Sequence, residues 1–286
     1  MTNRSKMVSR FGYFLLTIPV LLFIYLPVAW LLISSTSTRA ELLTVPLDWI
    51  PANPSLQNYS DILFSGSEAS DAAIVFKTTL RNSFVVASSV TAISLFFGSL
   101  AAYALVRIQF RFRKGLLYGI LGTRMIPEIS LVIPLYIIAS QLRILNTPYV
   151  LIATYLSFTL PFAIWLMASF FETIPIELED AARIDGCSWL ETLFKIILPI
   201  SSPGLISTGL FVFLLAWDEF FFALIFTSNE AAKTVPVAIA EFTGRYVVDI
   251  TAMMTGGVLA ALPPVILALV FQRYIVRGLT AGAVKG

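Results

Sequence analysis

Residues 172–203 have the sequence ETIPIELEDAARIDGCSWLETLFKIILPISSP and connect two long apolar stretches. Pro175 suits the first position of a helix, where its missing N–H costs nothing. The acidic residues within 177–180 then place negative charge in the opening turns, where the helix dipole favours it. Gly186 is a stop signal, because glycine enters the left-handed conformation beyond a helix end without a steric penalty. The pattern predicts a short helix that ends there.

A second helix is predicted directly after this stop. Ser188 and Glu191 form the S-x-x-E pattern of a capping box, in which each side chain satisfies a backbone N–H of the other residue. Pro199 and Pro203 then separate this helix from the apolar stretch that follows. The apolar face of the helix consists of Trp189, Leu190, Leu193, Phe194 and Ile197. We therefore expect an amphipathic helical hairpin, with one side buried on its own bundle and the other side offered to a partner.

The rest of the chain is dominated by apolar segments of membrane-spanning length. With 58% hydrophobic residues, 13% charged residues and a mean hydropathy of +0.86, the chain is far from the roughly 25% charged content of a soluble domain. A membrane helix needs about 20 apolar residues. The segments that meet this requirement are 11–34, 83–106, 116–139, 148–171, 204–226 and 251–271. We predict an all-α integral membrane protein with six transmembrane helices and a single domain over residues 1–286.

The distribution of Lys and Arg predicts the orientation of these helices. Twelve of them lie in the segments that are inside if the N-terminus is cytoplasmic, and six lie in the outside segments, as the positive-inside rule requires. Both termini are therefore expected in the cytoplasm, with a cytoplasmic hairpin at 172–203 and a cytoplasmic tail at 272–286. Residues 35–82 form a long external loop with a short helix expected at 56–64. This loop is either a contact surface for an external partner or a plain covering loop.

Several classes of chemistry are excluded by composition. The chain has no histidine and one cysteine, Cys187, which removes disulfides, thiolate or imidazole metal sites and any triad with a His base. It also lacks a G-x4-G-K-[ST] phosphate loop, so nucleotide must be handled by another subunit. The net charge of +2 is too small to indicate a nucleic-acid partner. We expect no catalytic residue, no metal and no cofactor in this chain.

The hairpin sequence resembles the EAA motif of ABC importer permeases, which has the spacing E-A-A-x3-G-x9-I-x-L-P. The matching residues are Asp180, Ala181, Ala182, Gly186, Ile196, Leu198 and Pro199, with Arg183 and Asp185 inside the motif. Asp180 is a departure, because the family pattern has Glu there, and the carboxylate is kept on a side chain shorter by one methylene. In the family this loop sits in a cleft of the ATP-hydrolysing subunit. The resemblance implies the same ATPase-coupling role for these residues.

The resemblance covers nearly the whole chain. The segment Trp217-Asp218-Glu219-Phe220 and the ending 271–286 are similar to the carbohydrate-importer branch that includes the maltose permease subunit MalG. This implies a type I ABC importer permease bundle in the inner (plasma) membrane of a bacterial cell, carrying a sugar, polyol or glycoside. The implied partners are a homologous sister permease, two ATP-binding subunits that hold ATP and Mg, and an external solute-binding protein. The small, glycine-rich tail either inserts toward the ATPase subunits or is a frayed terminus.

Charged residues in the third predicted span are candidates for the translocation pathway or for gating. Each ionisable side chain inside a span costs roughly 2.5 to 3.5 kcal/mol on insertion scales, so a functional role is the default hypothesis. Arg124 and Glu128 are four residues apart, hence on one helix face and close enough to pair. A structural ion pair inside the bundle is the alternative interpretation. Pro127 between them would loosen the backbone and mark a kink used in gating.

The fifth predicted span carries a second group of candidates toward its external end. Adjacent helical positions differ by about 100°, so Asp218 and Glu219 are expected to face different ways. One would line the cavity, and the other would meet a sister subunit or the external partner. Trp217 either stacks on a sugar ring or is a packing residue.

Two other classes of protein compete with an ABC permease. An ion-coupled secondary transporter would use Glu128, Asp218 and Glu219 as proton or cation sites. It would leave the hairpin without a role, and the sequence lacks the inverted repeat with paired broken helices expected of many such folds. An intramembrane enzyme would need a histidine, a second cysteine or a metal cluster, and is the poorer alternative.

Overall fold

The structure, a computed structural model, describes residues 3–46, 48–64, 71–241 and 250–283. Side chains are described at 16–46, 48–64, 75–241 and 250–274. All regular elements in these ranges are helices, which confirms the predicted all-α class. Residues 284–286 of the predicted tail, and Arg245 from the orientation counts, lie outside the described residues.

The helices of the described residues follow one another along the chain in a single series. In order they are α1 (Asn3–Thr36), α2 (Arg39–Leu42), α3 (Gln57–Phe64), α4 (Asp71–Arg107), α5 (Arg113–Gly122), α6 (Glu128–Gln141), α7 (Pro148–Phe171), α8 (Glu177–Ile184), α9 (Trp189–Thr192), α10 (Leu198–Ile200), α11 (Ser202–Trp217), α12 (Phe221–Phe226), α13 (Val235–Glu241) and α14 (Ile250–Ala283). A 3-10 turn at Thr123–Met125 follows α5, and a π-helical segment at Leu193–Ile197 joins α9 to α10.

Four helices are long and apolar enough to cross a membrane by themselves. These spans are Leu16–Thr36, Val75–Arg107, Pro148–Phe171 and Ile250–Tyr274. Two further candidates are bent helix pairs, Arg113–Met125 with Glu128–Gln141 and Trp189–Ile200 with Ser202–Trp217. Within the described residues the number of spans is therefore four, or up to six if each bent pair crosses once.

The third predicted span is not the continuous helix expected over 116–139. After the 3-10 turn at Thr123–Met125 the chain bends by 92° before α6 begins at Glu128. Ile126 is extended, with φ −74° and ψ 122°, as is usual before a proline. Pro127 itself has no N–H with which to continue the helix. The proline thus breaks this segment instead of kinking it.

The fifth predicted span, expected over 204–226, is also interrupted. α11 ends at Trp217, and the chain becomes helical again only at Phe221. A bend of 82° separates Trp189–Ile200 from α11, and Pro203 lies in the first turn of α11, where a proline is tolerated. The segment therefore consists of two helices with a polar break between them.

The chain forms two compact units, Met1–Phe76 with Ile239–Ala261 and Lys77–Ala238 with Leu262–Gly286. The single permease domain over 1–286 stays a prediction. In the first unit, α3 confirms the short helix expected at 56–64. The hydroxyl groups of Ser35 and Tyr59 form a hydrogen bond of 2.5 Å, and Thr255 donates to the Ser35 carbonyl at 3.2 Å.

The second unit has two apolar clusters that position the candidate site. The larger cluster packs α4, α7, α11 and α12 together around the buried side chains of Val90, Tyr155, Phe158, Phe213 and Phe222. The smaller one joins the ends of α4 and α7 to the 172–203 hairpin through Tyr103, Met167, Phe171, Leu193 and Ile197. The hairpin is therefore fixed to the bundle by burial of its own apolar side chains.

Candidate functional site

The first helix of the hairpin starts two residues later than its sequence suggests. Pro175 precedes the helix instead of opening it, and Ile176 is the N-cap of α8. The Ile176 carbonyl accepts from the N–H groups of Glu179 at 2.9 Å and Asp180 at 3.0 Å. The acidic residues nevertheless lie in the first turn, as predicted, where their negative charge interacts favourably with the positive end of the helix dipole.

The stop at Gly186 is confirmed. Gly186 has φ +90°, a conformation that other residues adopt only with strain. Its N–H donates to the Arg183 carbonyl at 3.0 Å, and the Cys187 N–H donates to the Ala182 carbonyl at 2.9 Å. These two hydrogen bonds form a Schellman motif, which satisfies carbonyls that the end of a helix otherwise leaves without partners.

The predicted capping box is also confirmed. The Glu191 carboxylate accepts from the backbone N–H of Ser188 at 3.0 Å and from its hydroxyl at 2.9 Å. The Glu191 N–H donates in turn to the Ser188 hydroxyl at 3.4 Å. Lys195 adds an exposed ion pair to the same carboxylate at 2.8 Å. The turn of the hairpin is therefore held by hydrogen bonds on both of its sides.

Pro199 does not separate the second helix from the fifth span as expected. It lies inside α10, directly after the π-helical segment Leu193–Ile197. A proline cannot donate to the carbonyl four residues earlier, and its ring clashes with that carbonyl. Widening the preceding turn relieves this clash, so the helix passes through Pro199 and the chain bends only at Ser201.

The hairpin has a buried side and an exposed side. Glu179, Ala182, Leu193 and Ile197 are buried against the bundle. The exposed side, here called the docking face, consists of Asp180, Ala181, Arg183, Asp185 and Gly186 with the apolar Ile176, Leu178, Ile184, Trp189 and Leu190. Of the remaining motif residues, Ile196 and Leu198 are half-buried against the smaller cluster and Pro199 is exposed.

The two arms of the hairpin are connected by a cation–π contact. The Arg183 guanidinium carbon lies 3.1 Å from the centre of the Trp189 ring. The other neighbour of this ring is Tyr103 of α4, with ring centres 6.2 Å apart and an edge-to-face arrangement. Trp189 thus contacts both the first arm of the hairpin and the bundle.

A buried ion pair at the base of the hairpin was not predicted. Arg107, the last residue of α4, pairs with Glu179 of α8, and the Tyr103 hydroxyl donates to the other Glu179 oxygen at 3.0 Å. Only 2% of the Glu179 surface is exposed. The sequence contains one signal for the burial of Glu179. It lies three residues before the apolar Ala182, so the two side chains share a helix face.

The four charged candidates of the predicted spans come together in the second unit. Arg124, Glu128, Asp218 and Glu219 line one open cavity of about 460 Å³, with apolar walls that include Phe158. The expected pairing of Arg124 with Glu128 is wrong, because the break at Pro127 places them on different helical segments. No ion pair joins them, although both side chains are described.

Arg124 is held by the cavity wall. Its guanidinium donates to the Phe158 carbonyl at 3.0 Å and lies 5.8 Å from the centre of the Phe158 ring. The cation is therefore positioned by α7 and keeps further donors for the cavity.

Asp218 and Glu219 both line the cavity, so the expectation that they face different ways is wrong. That expectation assumed a continuous helix, whereas α11 ends at Trp217. The Glu219 carboxylate accepts from the N–H groups of Phe222 at 2.8 Å and Ala223 at 3.1 Å. It thereby caps the start of α12, where negative charge is favoured.

Trp217 does not line the cavity. Only 3% of its surface is exposed, and its ring stacks on Phe213 with ring centres 5.5 Å apart and planes at 19°. The structure therefore supports the packing interpretation of this residue. Among the described residues, no three His, Cys, Asp or Glu side chains are grouped so that they could hold a metal ion.

Comparison with known proteins relates the chain to membrane components of transport systems. Residues 94–281 match the family described as binding-protein-dependent transport system inner membrane component. The trehalose/maltose transport system permease protein MalG of Thermococcus litoralis is 42% identical over 261 residues, which are 91% of each chain. The sulfoquinovosyl glycerol transport system permease protein SmoH of Agrobacterium fabrum is 38% identical over 91% of this chain and 88% of its own.

A solved structure shows the same fold. A bacterial ABC transporter involved in the import of the acidic polysaccharide alginate contains a chain that superimposes with a TM-score of 0.79 at 21% identity. The superposition covers 96% of this chain and 98% of that one. An ABC permease is therefore favoured over the ion-coupled secondary transporter, and in this family ATP is hydrolysed by a separate subunit. The chain is a non-catalytic membrane permease subunit of an ABC importer, and it belongs to the family of binding-protein-dependent transport system inner membrane components.

Proposed function

We propose that this permease imports a sugar, polyol or glycoside, and that the docking face of its hairpin receives the force of ATP binding. The observation that carries the proposal is the two-sided hairpin, which is buried on the bundle on one side and exposes charged and apolar residues on the other. The carbohydrate class is supported by relatives whose names include trehalose, maltose and sulfoquinovosyl glycerol.

The proposed complex contains a homologous sister permease, two ATP-binding subunits that hold ATP and Mg, and an external solute-binding protein. One solved relative with the same fold was captured with an alginate-bound periplasmic protein. The excess of Lys and Arg in the segments predicted to be inside supports cytoplasmic termini and a cytoplasmic hairpin in a bacterial inner membrane.

Coupling follows from the rigidity of the hairpin. The Schellman motif at Gly186 and the capping box at Ser188 fix the angle between its arms. A displacement of the docking face therefore moves the buried side chains of Leu193 and Ile197, and with them the ends of α4 and α7. In this proposal Asp180, Ala181, Ala182, Arg183, Asp185, Gly186, Ile196, Leu198 and Pro199 are the ATPase-coupling residues.

The cavity lined by Arg124, Glu128, Asp218 and Glu219 is the proposed polar part of the translocation pathway. Its volume of about 460 Å³ lies within the range of small-molecule sites. Carboxylates accept hydrogen bonds from sugar hydroxyl groups, and a guanidinium donates to their oxygens. Trp217 is left out of this pathway because its ring is buried on Phe213.

The docking assignment is tested by Ile184→Glu, which places a charge on the most exposed apolar side chain of the docking face, 86% exposed. We expect the ATPase subunit to be lost on co-purification and ATP-dependent uptake to stop. Leu43→Glu, at a 60% exposed apolar residue between α2 and α3, is the matched control and should retain the ATPase. An intact complex with Ile184→Glu would overturn the assignment.

The solute class is tested with the purified complex in proteoliposomes. A panel of sugars, polyols and glycosides, together with amino acids, peptides and inorganic ions, is offered with the cognate binding protein, and ATP-dependent uptake is measured. Uptake of at least one carbohydrate is expected. Uptake restricted to amino acids, peptides or inorganic ions would refute the carbohydrate assignment while leaving the ABC mechanism intact.

A further inference from the structure

We propose that α4 from Asn82 to Arg107 is a rigid strut that transmits movement of the hairpin to the segment 231–235, which contacts α4 at Asn82 and Ser83. The Glu179 ion pair is the joint at one end of this strut, and Asn82 with Ser83 forms the joint at the other. This inference rests on the proposed coupling role of the hairpin. It adds a specific route along which the displacement travels.

The joint at the hairpin end connects three helices through one guanidinium. Arg107 Nε pairs with Glu179, while Nη2 donates to the carbonyls of Phe171 at 3.0 Å and Ile174 at 2.9 Å. The Phe171 carbonyl is at the end of α7, where the helix dipole favours a cation. Arg107 therefore holds the ends of α4 and α7 and the start of α8 together.

Both oxygens of Glu179 are occupied in this joint. One pairs with Arg107, and the other accepts from the Tyr103 hydroxyl at 3.0 Å. Tyr103 and Arg107 are four residues apart on α4, so they lie on one helix face. Hydrogen bonds to buried charges have strict geometry and are costly to leave unmade. When α8 moves, α4 is therefore expected to move with it.

The joint at the opposite end is made of neutral hydrogen bonds. The Asn82 side-chain amide donates to the carbonyls of Ala231 at 2.9 Å and Lys233 at 3.0 Å. The Ser83 hydroxyl accepts from the Val235 N–H at 2.8 Å, and both residues are buried. The backbone of 231–235 is thus attached to α4 at three points.

The helix between the joints is suited to carry a displacement. From Asn82 to Arg107 it is about 38 Å long at 1.5 Å per residue, which exceeds a hydrocarbon core of roughly 30 Å. The other three single-helix spans contain prolines in their interior, whereas α4 contains none. Proline is the commonest cause of a helix kink. Gly98 is packed closely, since a Cβ there would lie 3.1 Å from the Ala163 Cβ.

The strut is tested in the full reconstituted complex with one variant at each joint, Glu179→Gln and Asn82→Ala. The readouts are ATPase co-purification and the amount of solute taken up per ATP hydrolysed. We expect both variants to keep the ATPase, and uptake per ATP to fall by about tenfold for Glu179→Gln and less for Asn82→Ala. A residue that only stabilises the fold would lower the yield of complex without changing this ratio.

Thr91→Val is the matched control on the same helix. The Thr91 hydroxyl donates only to the Ala87 carbonyl within α4, at 2.7 Å, and forms no part of either joint. Its uptake per ATP should equal that of the native complex. A normal ratio in Asn82→Ala, in a complex that retains its ATPase, would overturn the strut.

The double variant separates one strut from two independent contacts. If the joints act in series, the double variant should resemble Glu179→Gln alone, because the displacement is already lost at the first joint. Losses that multiply would refute the proposal. If Glu179→Gln releases the ATPase, the strut is tested by uptake per ATP in Asn82→Ala alone, since the Asn82 joint is remote from the docking face. Failure of the docking role itself is reported separately by Ile184→Glu.

Discussion

The second unit contains two groups of charged side chains: one is buried and paired within the protein, and the other is exposed in a cavity. At the base of the hairpin, the Glu179 carboxylate is buried and fully occupied by Arg107 and Tyr103. In the cavity, Arg124, Glu128 and Asp218 are exposed, and no ion pair joins these described residues. The first group is held by partners within the protein, whereas the second has hydrogen-bonding groups open to the cavity.

This difference indicates different tasks. A buried pair whose partners are all present fixes one geometry, and removing one member leaves a charge that nothing else can stabilise. An exposed group in a polar cavity can exchange water for a passing hydroxyl group at little cost. We therefore expect substitutions at the hairpin base to change stability as well as coupling, and substitutions in the cavity to change transport without changing stability.

The largest effect on stability is expected for Arg107→Met. Glu179 would remain buried without its partner, and the carbonyls of Phe171 and Ile174 would lose their donor. We expect a loss of about 3–5 kcal/mol in the free energy of unfolding, the usual result of breaking a buried pair. Thermal unfolding in detergent measures it, with the exposed Lys114→Met as control. A loss below about 1 kcal/mol would mean that this pair stabilises the protein no more than a surface ion pair does.

A smaller loss is expected for Gly186→Val, because a β-branched residue at φ +90° is strained. The cost should be about 1–3 kcal/mol, with a parallel loss of ATPase co-purification as the arms of the hairpin change their angle. Gly119→Val in α5 is the control, since a Cβ there has nothing within 4 Å and no positive φ. Equal unfolding temperatures of the two variants would contradict the Schellman assignment.

Ser188→Ala removes one member of the capping box and should cost about 1 kcal/mol. The Glu191 N–H would lose its acceptor, and the Glu191 carboxylate would lose one of its donors. Chemical denaturation of the purified permease measures the change. The control is Ser169→Ala, an exposed serine inside α7 whose hydroxyl donates to the Trp165 carbonyl at 3.0 Å, which should stay within about 0.5 kcal/mol of the native protein.

Asp218→Asn should change stability by less than about 0.5 kcal/mol and yet weaken transport. The amide keeps the size of the side chain but loses the charge that strengthens a hydrogen bond from a solute hydroxyl. We expect a several-fold rise in the solute concentration for half-maximal uptake, with the ATPase still bound. Asp48→Asn, at an exposed residue between α2 and α3, is the control. Unchanged uptake would remove Asp218 from the pathway.

The smallest expected effect is a pH dependence of local stability at Glu41, an exposed carboxylate whose oxygens accept hydrogen bonds within the protein. Hydrogen bonds from the Thr38 backbone N–H at 2.8 Å and hydroxyl at 2.9 Å lower its pKa. Because the pKa is lowered on folding, the local stabilisation is present above the unfolded pKa and is lost as pH falls through the folded pKa. Glu41 also accepts from the Ala52 N–H at 3.0 Å, so fluorescence of Trp49, three residues earlier and packed on Trp30, should report this loosening on acidification. The transition should be absent in Glu41→Gln.

The hairpin could be predicted from the sequence because its signals are local. Gly186, Ser188 and Glu191 act within one or two turns, and each determines its own hydrogen bonds. The ion pair of Arg107 with Glu179 joins residues 72 positions apart, and no local pattern specifies that meeting. In the sequence, Glu179 is one of the acidic residues within 177–180 that favour the helix dipole, and Arg107 is one of the twelve basic residues that predict the orientation.

For the charged residues of the predicted spans, the sequence identified side chains that lie together but predicted the wrong arrangement of them. Arg124, Glu128, Asp218 and Glu219 were selected because charges inside a span are costly, and the structure does bring them to one cavity. Their arrangement was derived from continuous helices, which the breaks at Pro127 and after Trp217 remove. Hydropathy identifies a span without revealing where the span is interrupted.

The contacts of Trp189 also give the hairpin an optical property. Its indole lies against the Arg183 guanidinium on one side and near the Tyr103 ring on the other, so its excited state senses the spacing between docking face and bundle. The chain has five tryptophans, and replacing the other four by phenylalanine would leave a single emitter at this position. Because the Glu179 joint keeps hairpin and α4 together, this emission should stay constant during transport and change when Glu179→Gln releases the joint, with no attached dye.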